Sequence, residues 1–414
     1  MPQAPLHVLW VEPHFPGRLG AVADWLVRRR GYRCLFYCHT ADPPEHWPPS
    51  MARGLNVSVF NVGGIAREPA APWTRLLERS LCYAYGCWEV LEQNRPKPID
   101  LIVGRSNGLG STLHAPVYRP APVVNFFDYY THTRQYDLAD EARAETPPTY
   151  FHWRRSACAI ELLDLENCDL AWTPTAWQRD LFPAEYRDDF HVLHDGVDTR
   201  LFAPRRPGPR TIQGRTIPEG TRVVTFVGRT LERLRGFDRF WSLANHLLRA
   251  RSDVICVAVG DPTVRRGLDI DFHQRDYPAH LRALEPPYDP ERLWLLGSVP
   301  RGVVAEVLAA SDLHVAPGRR YPVARSLLEA MASGCVVLAP DSEPFREVIT
   351  DGQNGLLLDP SDAGAWVALA QRVLDDPAAF RPVGVAATEL VRNRYAQDVT
   401  LPRLVDTFDQ LLNA

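Results

Sequence analysis

Lysine is almost missing from this chain: Lys97 is its single lysine among 414 residues, and arginine supplies the other basic side chains. A cofactor that is held as a Schiff base needs a lysine amine. With one lysine available, pyridoxal phosphate chemistry is nearly excluded. The formal net charge of −4 also gives the chain no general attraction to nucleic acid.

Metal-binding motifs are absent as well. The eight cysteines include no C-x-x-C pair and form no cluster with histidine at the spacing of a zinc site. Most of them lie in apolar stretches, as free thiols do in a reducing compartment. The H-E-x-x-H motif of zinc hydrolases is also missing. We therefore expect a protein without a metal or a bound cofactor.

Long apolar runs are lacking too. No stretch approaches the roughly 18 apolar residues of a membrane-spanning helix. The N-terminal sequence MPQAPLHVLWVEPHF has no basic segment followed by a long apolar core, so it does not look like a signal peptide. We expect a cytoplasmic protein without a transmembrane segment, and peripheral attachment at the inner membrane face is left open.

What fills the chain is an alternation of short apolar runs and amphipathic stretches. Runs such as LHVLWV (6–11) and RVVTFVG (222–228) have the length of buried strands. The helical patterns between such runs predict parallel α/β sheets with crossover helices. A chain of this length is expected to form two domains of about 200 residues each.

The predicted domains follow this alternation. A stretch dense in Pro, Gly and Arg separates two Rossmann-like halves and is interpreted as a linker or exposed loop. A C-terminal helical segment could pack on either half, including a return to the N-terminal domain. The four predicted segments are 1–202, 203–220, 221–384 and 385–414.

Two doubly wound sheets make a specific prediction about ligands. In such sheets ligands bind outside the carboxyl ends of the strands. We expect the two domains to face a central cleft and a ligand to bridge them. The loops that follow the strands should then carry the chemistry.

The stretch VGRTLERLRGF (227–237) follows a buried strand and leads into a helix. Arginines in such a loop can bind a diphosphate through paired N–H donors, and the backbone N–H groups of the helix start favour the same anion. Arg229 and Arg235 are therefore candidate phosphate ligands. In the alternative interpretation, these arginines are solvated and pair with Glu232 and Asp238.

The helix in VARSLLEAMASGCVVLAP (323–340) carries one acid, Glu329, among apolar neighbours. An unpaired carboxylate would be costly to bury there, and the two hydroxyls of a ribose would satisfy it. The helix start at Arg325 and Ser326 offers free N–H groups and a positive dipole end for phosphate. The alternative is a structural salt bridge between Glu329 and a nearby arginine.

Two loops of the N-terminal half hold further candidates. In EPHFPGRLG (12–20), Gly17 would let the backbone approach a ligand, although the loop is not a G-x-G-x-x-G motif and a tight turn is the alternative. In NFFDYYTHT (125–133), Asp128 and His132 lie beside aromatic rings, which suits sugar binding. A surface loop with Asp128 as a helix cap is the alternative there.

Several stretches together carry a family resemblance. VGRTLERLRGF, RSLLEAMASGCVVLAPDSEPFREVITDGQNGLLLDP and HDGVDTRLF resemble the family 4 glycosyltransferases of the GT-B fold. The resemblance is strong over residues 190–375 and fair before them, where HFPGRLGAVADWLVRRRGY is similar to a bacterial subgroup. It implies transfer of a sugar from a nucleotide-sugar donor with retention of anomeric configuration, usually without a metal.

The resemblance also implies roles for single residues. Arg229 matches the family arginine on the donor diphosphate, and Arg235 stands where the family most often has lysine. Glu329 matches the second glutamate of the E-x7-E motif, which binds ribose in the family. Tyr321 stands where the first glutamate, a ligand of the donor sugar, is expected. Tyr321, Arg325 and backbone N–H groups would then hold the sugar.

The implied mechanism depends on electrostatics. Arg229, Arg235 and N–H groups near Ser326 would stabilise the leaving diphosphate. Asp128 or His132 would orient or deprotonate the acceptor hydroxyl. The donor could be a UDP-, GDP- or ADP-sugar, and the acceptor a glycan, a lipid-linked sugar or a small molecule. A sugar-nucleotide epimerase, a phosphorylase and a catalytically silent nucleotide-sugar-binding protein remain alternatives, the last because of Tyr321.

Overall fold

The structure of the protein is a computed structural model that describes residues 5–42, 47, 51, 54–62, 74–93, 98–106, 109–115, 121–130, 148–264 and 276–413. Contacts divide the chain into two compact units. Unit 1 contains the described residues of Met1–Gln135, Thr146–Asp195 and Thr400–Ala414, and unit 2 contains those of Gly196–Val399.

Unit 1 is built on a seven-stranded parallel sheet with a short two-stranded sheet beside it. The strands are β1 (His7–Val11), β2 (His14–Phe15), β3 (Arg33–Cys38), β4 (Thr40–Ala41), β5 (Leu55–Val59), β6 (Leu101–Arg105), β7 (Val123–Phe126), β8 (Leu170–Thr173) and β9 (Phe190–Val192). The large sheet has the order β5-β3-β1-β6-β7-β8-β9, with every pair parallel, and β2 pairs with β4.

The helices of unit 1 cover this sheet because their apolar residues recur at helical spacing. They are α1 (Leu19–Arg30), α2 (Arg75–Gln93), α3 (Pro148–Glu166) and α4 (Ala176–Asp180). In α1, Leu19, Val22, Ala23 and Leu26 are fully buried, the spacing of one helix face. The helix ends at Gly31, whose φ of 67° is the left-handed conformation that favours glycine.

Unit 2 contains a six-stranded parallel sheet and a small antiparallel hairpin. The strands are β10 (Thr211–Ile212), β11 (Arg215–Thr216), β12 (Arg222–Thr230), β13 (Val254–Asp261), β14 (Leu293–Leu295), β15 (Leu313–Val315), β16 (Val336–Pro340) and β17 (Leu356–Leu358). The large sheet has the order β14-β13-β12-β15-β16-β17, and β10 pairs with β11. This is the strand order of a dinucleotide-binding sheet.

Apolar side chains fill both faces of the second sheet. The helices that follow the hairpin are α5 (Phe237–Ala250), α6 (Tyr277–Leu284), α7 (Arg301–Ala310), α8 (Arg325–Ala332), α9 (Glu343–Arg346), α10 (Ala363–Asp375), α11 (Pro377–Leu390) and α12 (Gln397–Leu412). One core lies on the side of α7 and α8, and the other on the side of α5 and α10. Two doubly wound parallel sheets confirm the predicted fold class.

The segment predicted as a linker, 203–220, belongs to unit 2 in the structure. The chain enters that unit at Gly196. Residues 204–209 are exposed, as expected of a loop, but Ile212 and Ile217 are buried in the core of unit 2. Arg210 pairs with Asp312 at 2.7 Å. These contacts fold the hairpin onto unit 2.

The C-terminal segment divides between the units. Helix α11 and the π-helical turn Val391–Tyr395 lie in unit 2, and the chain returns to unit 1 at Thr400 within α12. There Leu401, Leu404 and Phe408 are fully buried in the core beside β1 and α1. Across the part of the chain that the structure describes, no helix is long and apolar enough to cross a membrane.

Candidate functional site

Each sheet has a point where its strand order reverses. In unit 1 it lies at the carboxyl end of β1, which pairs with β3 on one side and β6 on the other. In unit 2 it lies at the end of β12, between β13 and β15. Ligands of doubly wound sheets bind in the crevice at such a switch point. Charged side chains gather there in both units.

The switch point of unit 1 holds five charged side chains in one hydrogen-bonded cluster. Arg18 donates to Asp128 at 2.7 Å and to Asp195 at 2.6 Å. Arg105 donates to Glu12 and to Asp128, both at 2.5 Å. Glu12 and Asp195 are almost fully buried, whereas the side chain of Asp128 is 16% exposed. We call these five residues the unit 1 cluster.

Gly17 has a clear structural reason for being glycine. The carboxylate of Glu12 accepts backbone N–H bonds from Arg18 and from Leu19, at 2.8 to 3.0 Å, and so caps the start of α1. Gly17 has a φ of 53°, and a Cβ there would lie 2.4 Å from the Glu12 carboxyl carbon. Gly17 thus lets the loop close on Glu12, and its predicted approach to a ligand stays a prediction.

The unit 1 cluster keeps its arginines charged. Burial lowers the pKa of Arg105, but the charges of Asp128 and Glu12 outweigh burial and raise it overall. The pKa of Arg18 is also raised, because Asp195 and Asp128 outweigh its burial. Both oxygens of Asp128 accept guanidinium bonds. This arrangement suits Asp128 to orienting a hydroxyl more than to removing its proton. The other predicted acceptor-side residue, His132, lies outside the described residues.

A buried polar network begins at Ser106, the residue that follows Arg105 in the chain. Ser106 donates to Asp164 of α3 at 2.6 Å. Asn125 donates to the carbonyl of Asp164 and accepts from Thr112. Burial raises the pKa of Asp164 to about 7, although the bond from Ser106 opposes the shift. This network ties the ends of β6 and β7 to α3.

In unit 2, Arg235 follows the end of the central strand, as predicted, whereas Arg229 lies within that strand because β12 continues to Thr230. Arg229 is the second-last residue of β12, where the register with β13 shifts, and is exposed. The side chain of Arg235 is 20% exposed, and its Nε lies 3.6 Å from Glu232 and 3.4 Å from the Thr230 hydroxyl. The predicted alternative pairing with Glu232 is therefore present for Arg235. Asp238 instead pairs with Arg319 at 2.9 Å.

The loops after β12 and β15 are packed together through Gly236. Its φ is 77°, and a Cβ there would lie 2.0 Å from the Pro317 carbonyl oxygen. The Arg319 N–H donates to the Leu234 carbonyl, and Arg239 donates to the Pro317 carbonyl. The loop that carries Arg235 is thus fixed against the loop that leads to Tyr321. Tyr321 and Arg325 are both half-buried.

Ser326 fixes the start of α8 beside β12. Its hydroxyl donates to the Val227 carbonyl at 2.6 Å. The N-terminus of α8 therefore lies next to the strand end that bears Arg229. Backbone N–H groups of a helix start and guanidinium groups are donors that suit a diphosphate, so this strand end is a candidate diphosphate site.

Glu329 is paired, as in the alternative interpretation. Arg301 donates to its Oε1 at 2.7 Å, and the Glu329 side chain is 2% exposed. Arg301 was not singled out from the sequence. Among the residues that the structure describes, no three His, Cys, Asp or Glu side chains are grouped so as to hold a metal ion.

Two family models match the chain, one on each half. The model described as glycosyl transferase family 4 group matches residues 30–202. The model described as glycosyl transferases group 1 matches residues 209–389. The first match begins after β1, and the second covers the switch point of unit 2.

Curated relatives match part of the chain. It is 28% identical to alpha-maltose-1-phosphate synthase of Mycolicibacterium smegmatis, over 56% of this chain and 60% of that protein. It is 27% identical to phosphatidyl-myo-inositol mannosyltransferase of the same organism, over 54% of this chain and 52% of that one. The match therefore spans only a little over half the length of these relatives.

Solved structures share the fold over the whole chain. Sucrose-phosphate synthase from Thermosynechococcus elongatus superposes with a TM-score of 0.77 at 17% identity, covering 99% of both chains. HepE from Anabaena, in complex with UDP-glucose, superposes with a TM-score of 0.70 at 16% identity, covering 98% of this chain and 100% of that one. At these identities the likeness shows the fold alone.

Proposed function

The chain belongs to the family 4 glycosyltransferases, and on that premise we propose that it transfers a sugar from a nucleoside diphosphate sugar to an acceptor hydroxyl with retention of anomeric configuration. The observation that carries the proposal is the switch point of unit 2. There Arg229, Arg235 and the start of α8 are brought to one strand end, with Ser326 bonded to the Val227 carbonyl.

Charge explains how this site would accelerate transfer. As the bond between the sugar and the diphosphate breaks, negative charge grows on the leaving oxygens. Arg229 and Arg235, with the N–H groups at the start of α8, would stabilise that charge through donors already in place. Arg235 is held by Thr230 and Glu232, so it loses little side-chain freedom when a diphosphate binds.

The proposal assigns the acceptor to unit 1. The partly exposed edge of the unit 1 cluster, at Asp128, offers a carboxylate and two guanidinium groups to hydroxyls. Asp128 would orient the acceptor hydroxyl rather than deprotonate it. The relatives named as a maltose-1-phosphate synthase and a mannosyltransferase, and the neighbour bound to UDP-glucose, support a nucleotide-sugar donor.

A thermal-shift panel of nucleotides and UDP-, GDP- and ADP-sugars tests donor binding, since a ligand of the folded state raises the melting temperature. Arg229→Gln and Arg235→Gln are expected to weaken binding by about tenfold or more. Arg249→Gln, an exposed arginine over Tyr288 in the same unit, is the matched control. If no member of the panel shifts the wild type, the donor proposal is wrong.

Transfer and binding without catalysis are separated by product analysis. The active enzyme should release nucleoside diphosphate and give a product whose anomeric configuration, read by NMR, equals that of the donor. An inverted product would refute the retaining mechanism. Donor binding without hydrolysis or transfer to any tested acceptor would favour the silent nucleotide-sugar-binding protein.

A further inference from the structure

The pairing of Arg301 with Glu329 is the starting point. Glu329 belongs to α8, where it is surrounded by buried side chains such as Leu328 and Ala330. A carboxylate that is only 2% exposed is costly to bury without a partner. Arg301 supplies that partner at 2.7 Å from Oε1.

Arg301 is held in a defined orientation. It is the first residue of α7, and its guanidinium carbon lies 4.7 Å from the ring centroid of Phe202. Phe202 is fully buried, so its ring provides a fixed surface. One face of the guanidinium therefore lies on Phe202 and one edge on Glu329, while 43% of the side chain stays exposed.

The second oxygen of Glu329 has a different environment. Within the described part of the chain, the hydrogen bond that this carboxylate accepts goes to Oε1, and none goes to Oε2. The two bonds from Ser333 go to the backbone carbonyl of Glu329 and leave the carboxylate unused. An ionised carboxylate has spare capacity for hydroxyl donors at such an oxygen.

We propose that Arg301 is a positioning residue for recognition of the donor ribose. Arg301 occupies Oε1 and orients the Glu329 side chain, so that Oε2 is the atom that accepts hydrogen bonds from the ribose hydroxyls. The inference rests on the proposed function, because it assumes a nucleotide donor in unit 2. Glu329 contacts the ligand, and Arg301 acts through it.

The planar guanidinium matters for this role. A lysine at position 301 would keep the positive charge, but it cannot lie flat on Phe202 or present a fixed edge to Glu329. Arg301→Lys is therefore expected to recover part of what Arg301→Gln loses. A glutamine at this position removes both the positive charge and the planar set of N–H donors.

The experiment compares ribonucleotides with their 2′-deoxy and 3′-deoxy counterparts by calorimetry, using the nucleoside diphosphate that the panel selects. The wild type should prefer the ribonucleotide by about tenfold or more. Arg301→Gln and Glu329→Gln should each remove this preference while changing affinity for the deoxynucleotides by less than about threefold. The double variant should lose no more than either single one.

Arg215→Gln is the matched control, because Arg215 is also stacked on an aromatic ring of unit 2, at 4.1 Å over Trp294. It should keep the full ribose preference. Circular dichroism establishes that each variant is folded, and Arg301→Lys decides the question if Arg301→Gln does not fold. Equal weakening of ribonucleotide and deoxynucleotide, or an unchanged preference, overturns the inference. A wild type that binds no nucleotide refutes the proposed function itself, and this inference with it.

Discussion

Two loops of unit 2 can pack closely because the residue at their contact, Gly236, has no side chain. Gly236 lies where the Pro317 carbonyl leaves no room for a Cβ, and its φ is in the left-handed region. Glycine is needed there for two separate reasons, close packing and backbone conformation. The loop that carries Arg235 depends on both.

Gly236→Ala should destabilise unit 2 by more than about 2 kcal/mol, because the methyl group must displace the Pro317 loop in addition to straining φ. Urea unfolding measures the loss. Donor affinity should fall as well, since the Arg235 loop shifts.

Gly214→Ala is the control that measures the cost of the backbone conformation alone. Gly214 has a φ of 76°, and no heavy atom of the described residues lies within 4 Å of a Cβ built there. Gly214→Ala should lower the unfolding free energy by about 1 kcal/mol. Equal losses for the two variants would mean that the contact with Pro317 contributes nothing.

The buried acid Asp164 predicts a pH dependence of stability. Its folded pKa of about 7 exceeds the ordinary value of 3.8 for an aspartate, so between these pH values the folded state holds a proton that the unfolded state has lost. Stability therefore falls as the pH rises from about 4 to 7, by a few kcal/mol in order of magnitude, and then levels off. Asp164→Asn should lack this slope.

Chemical unfolding at several pH values measures the effect. The difference in unfolding free energy between Asp164→Asn and the wild type should shift in favour of the variant as the pH rises through this window. The exposed Asp180→Asn, in the same unit, is the control. Parallel curves for Asp164→Asn and the wild type would contradict the prediction.

The position of some candidate residues follows from the sequence and that of others does not, for a physical reason. Arg229, Arg235 and Ser326 lie near the end of a predicted strand or the start of a predicted helix, and the structure brings them to one strand end. The pairings of Arg18 with Asp195 and of Arg301 with Glu329 join residues far apart in sequence. No local pattern specifies such partners.

At the scale of elements, hydrophobic alternation predicted most strands and helices closely. The predicted strands 6–11 and 222–228 agree with β1 and β12 to within two residues at either end. The pairs β2–β4 and β10–β11 were missed because two residues are too few to show a period. Helix α6 was also missed, in a stretch where Pro278 and flanking polar residues hide the apolar face.

Glu12 links the start of α1 to the unit 1 cluster, so its substitution tests how much the cluster stabilises unit 1. Glu12→Gln leaves Arg105 with less negative charge around it and weakens the cap of α1. We expect a loss of about 3–5 kcal/mol in the unfolding free energy of unit 1, the usual result of breaking a buried ion pair. Calorimetry should show a lower melting transition.

Asp42→Asn provides the control at an exposed ion pair of the same unit. Asp42 lies 2.9 Å from His14, and the two side chains are 45% and 31% exposed, far more than Glu12. Asp42→Asn should lower the unfolding free energy of unit 1 by less than about 1 kcal/mol. A Glu12→Gln variant as stable as Asp42→Asn would show that the buried pair gives no net stability.

At the scale of the whole molecule, domain boundaries follow contacts rather than composition. The Pro- and Gly-rich stretch 203–220 has the composition of a linker, yet Ile212 and Ile217 anchor it in unit 2. Residues 400–414, which were grouped with the preceding helix in the prediction, contribute Leu404 and Phe408 to the core of unit 1. Composition identifies stretches that resemble loops, but it does not show which unit a segment packs against.

Phe408→Ala should therefore destabilise unit 1 by about 3–5 kcal/mol and leave unit 2 nearly unchanged. Phe408 is fully buried beside unit 1 residues, although it lies beyond all of unit 2 in sequence. Hydrogen exchange should speed up in β1 and stay constant in β12. Val385→Ala, which is 52% exposed on α11, is the control. Equal acceleration in both strands would contradict the assignment of α12 to unit 1.

The return of α12 has a consequence for synthesis on the ribosome. The sheet of unit 1 emerges first, but its core stays open until Thr400–Ala414 leave the exit tunnel, after every residue of unit 2. The half that is translated second can thus complete its packing first. Until then the nascent chain shows an apolar groove beside β1 and α1, which is a surface for chaperones to shield.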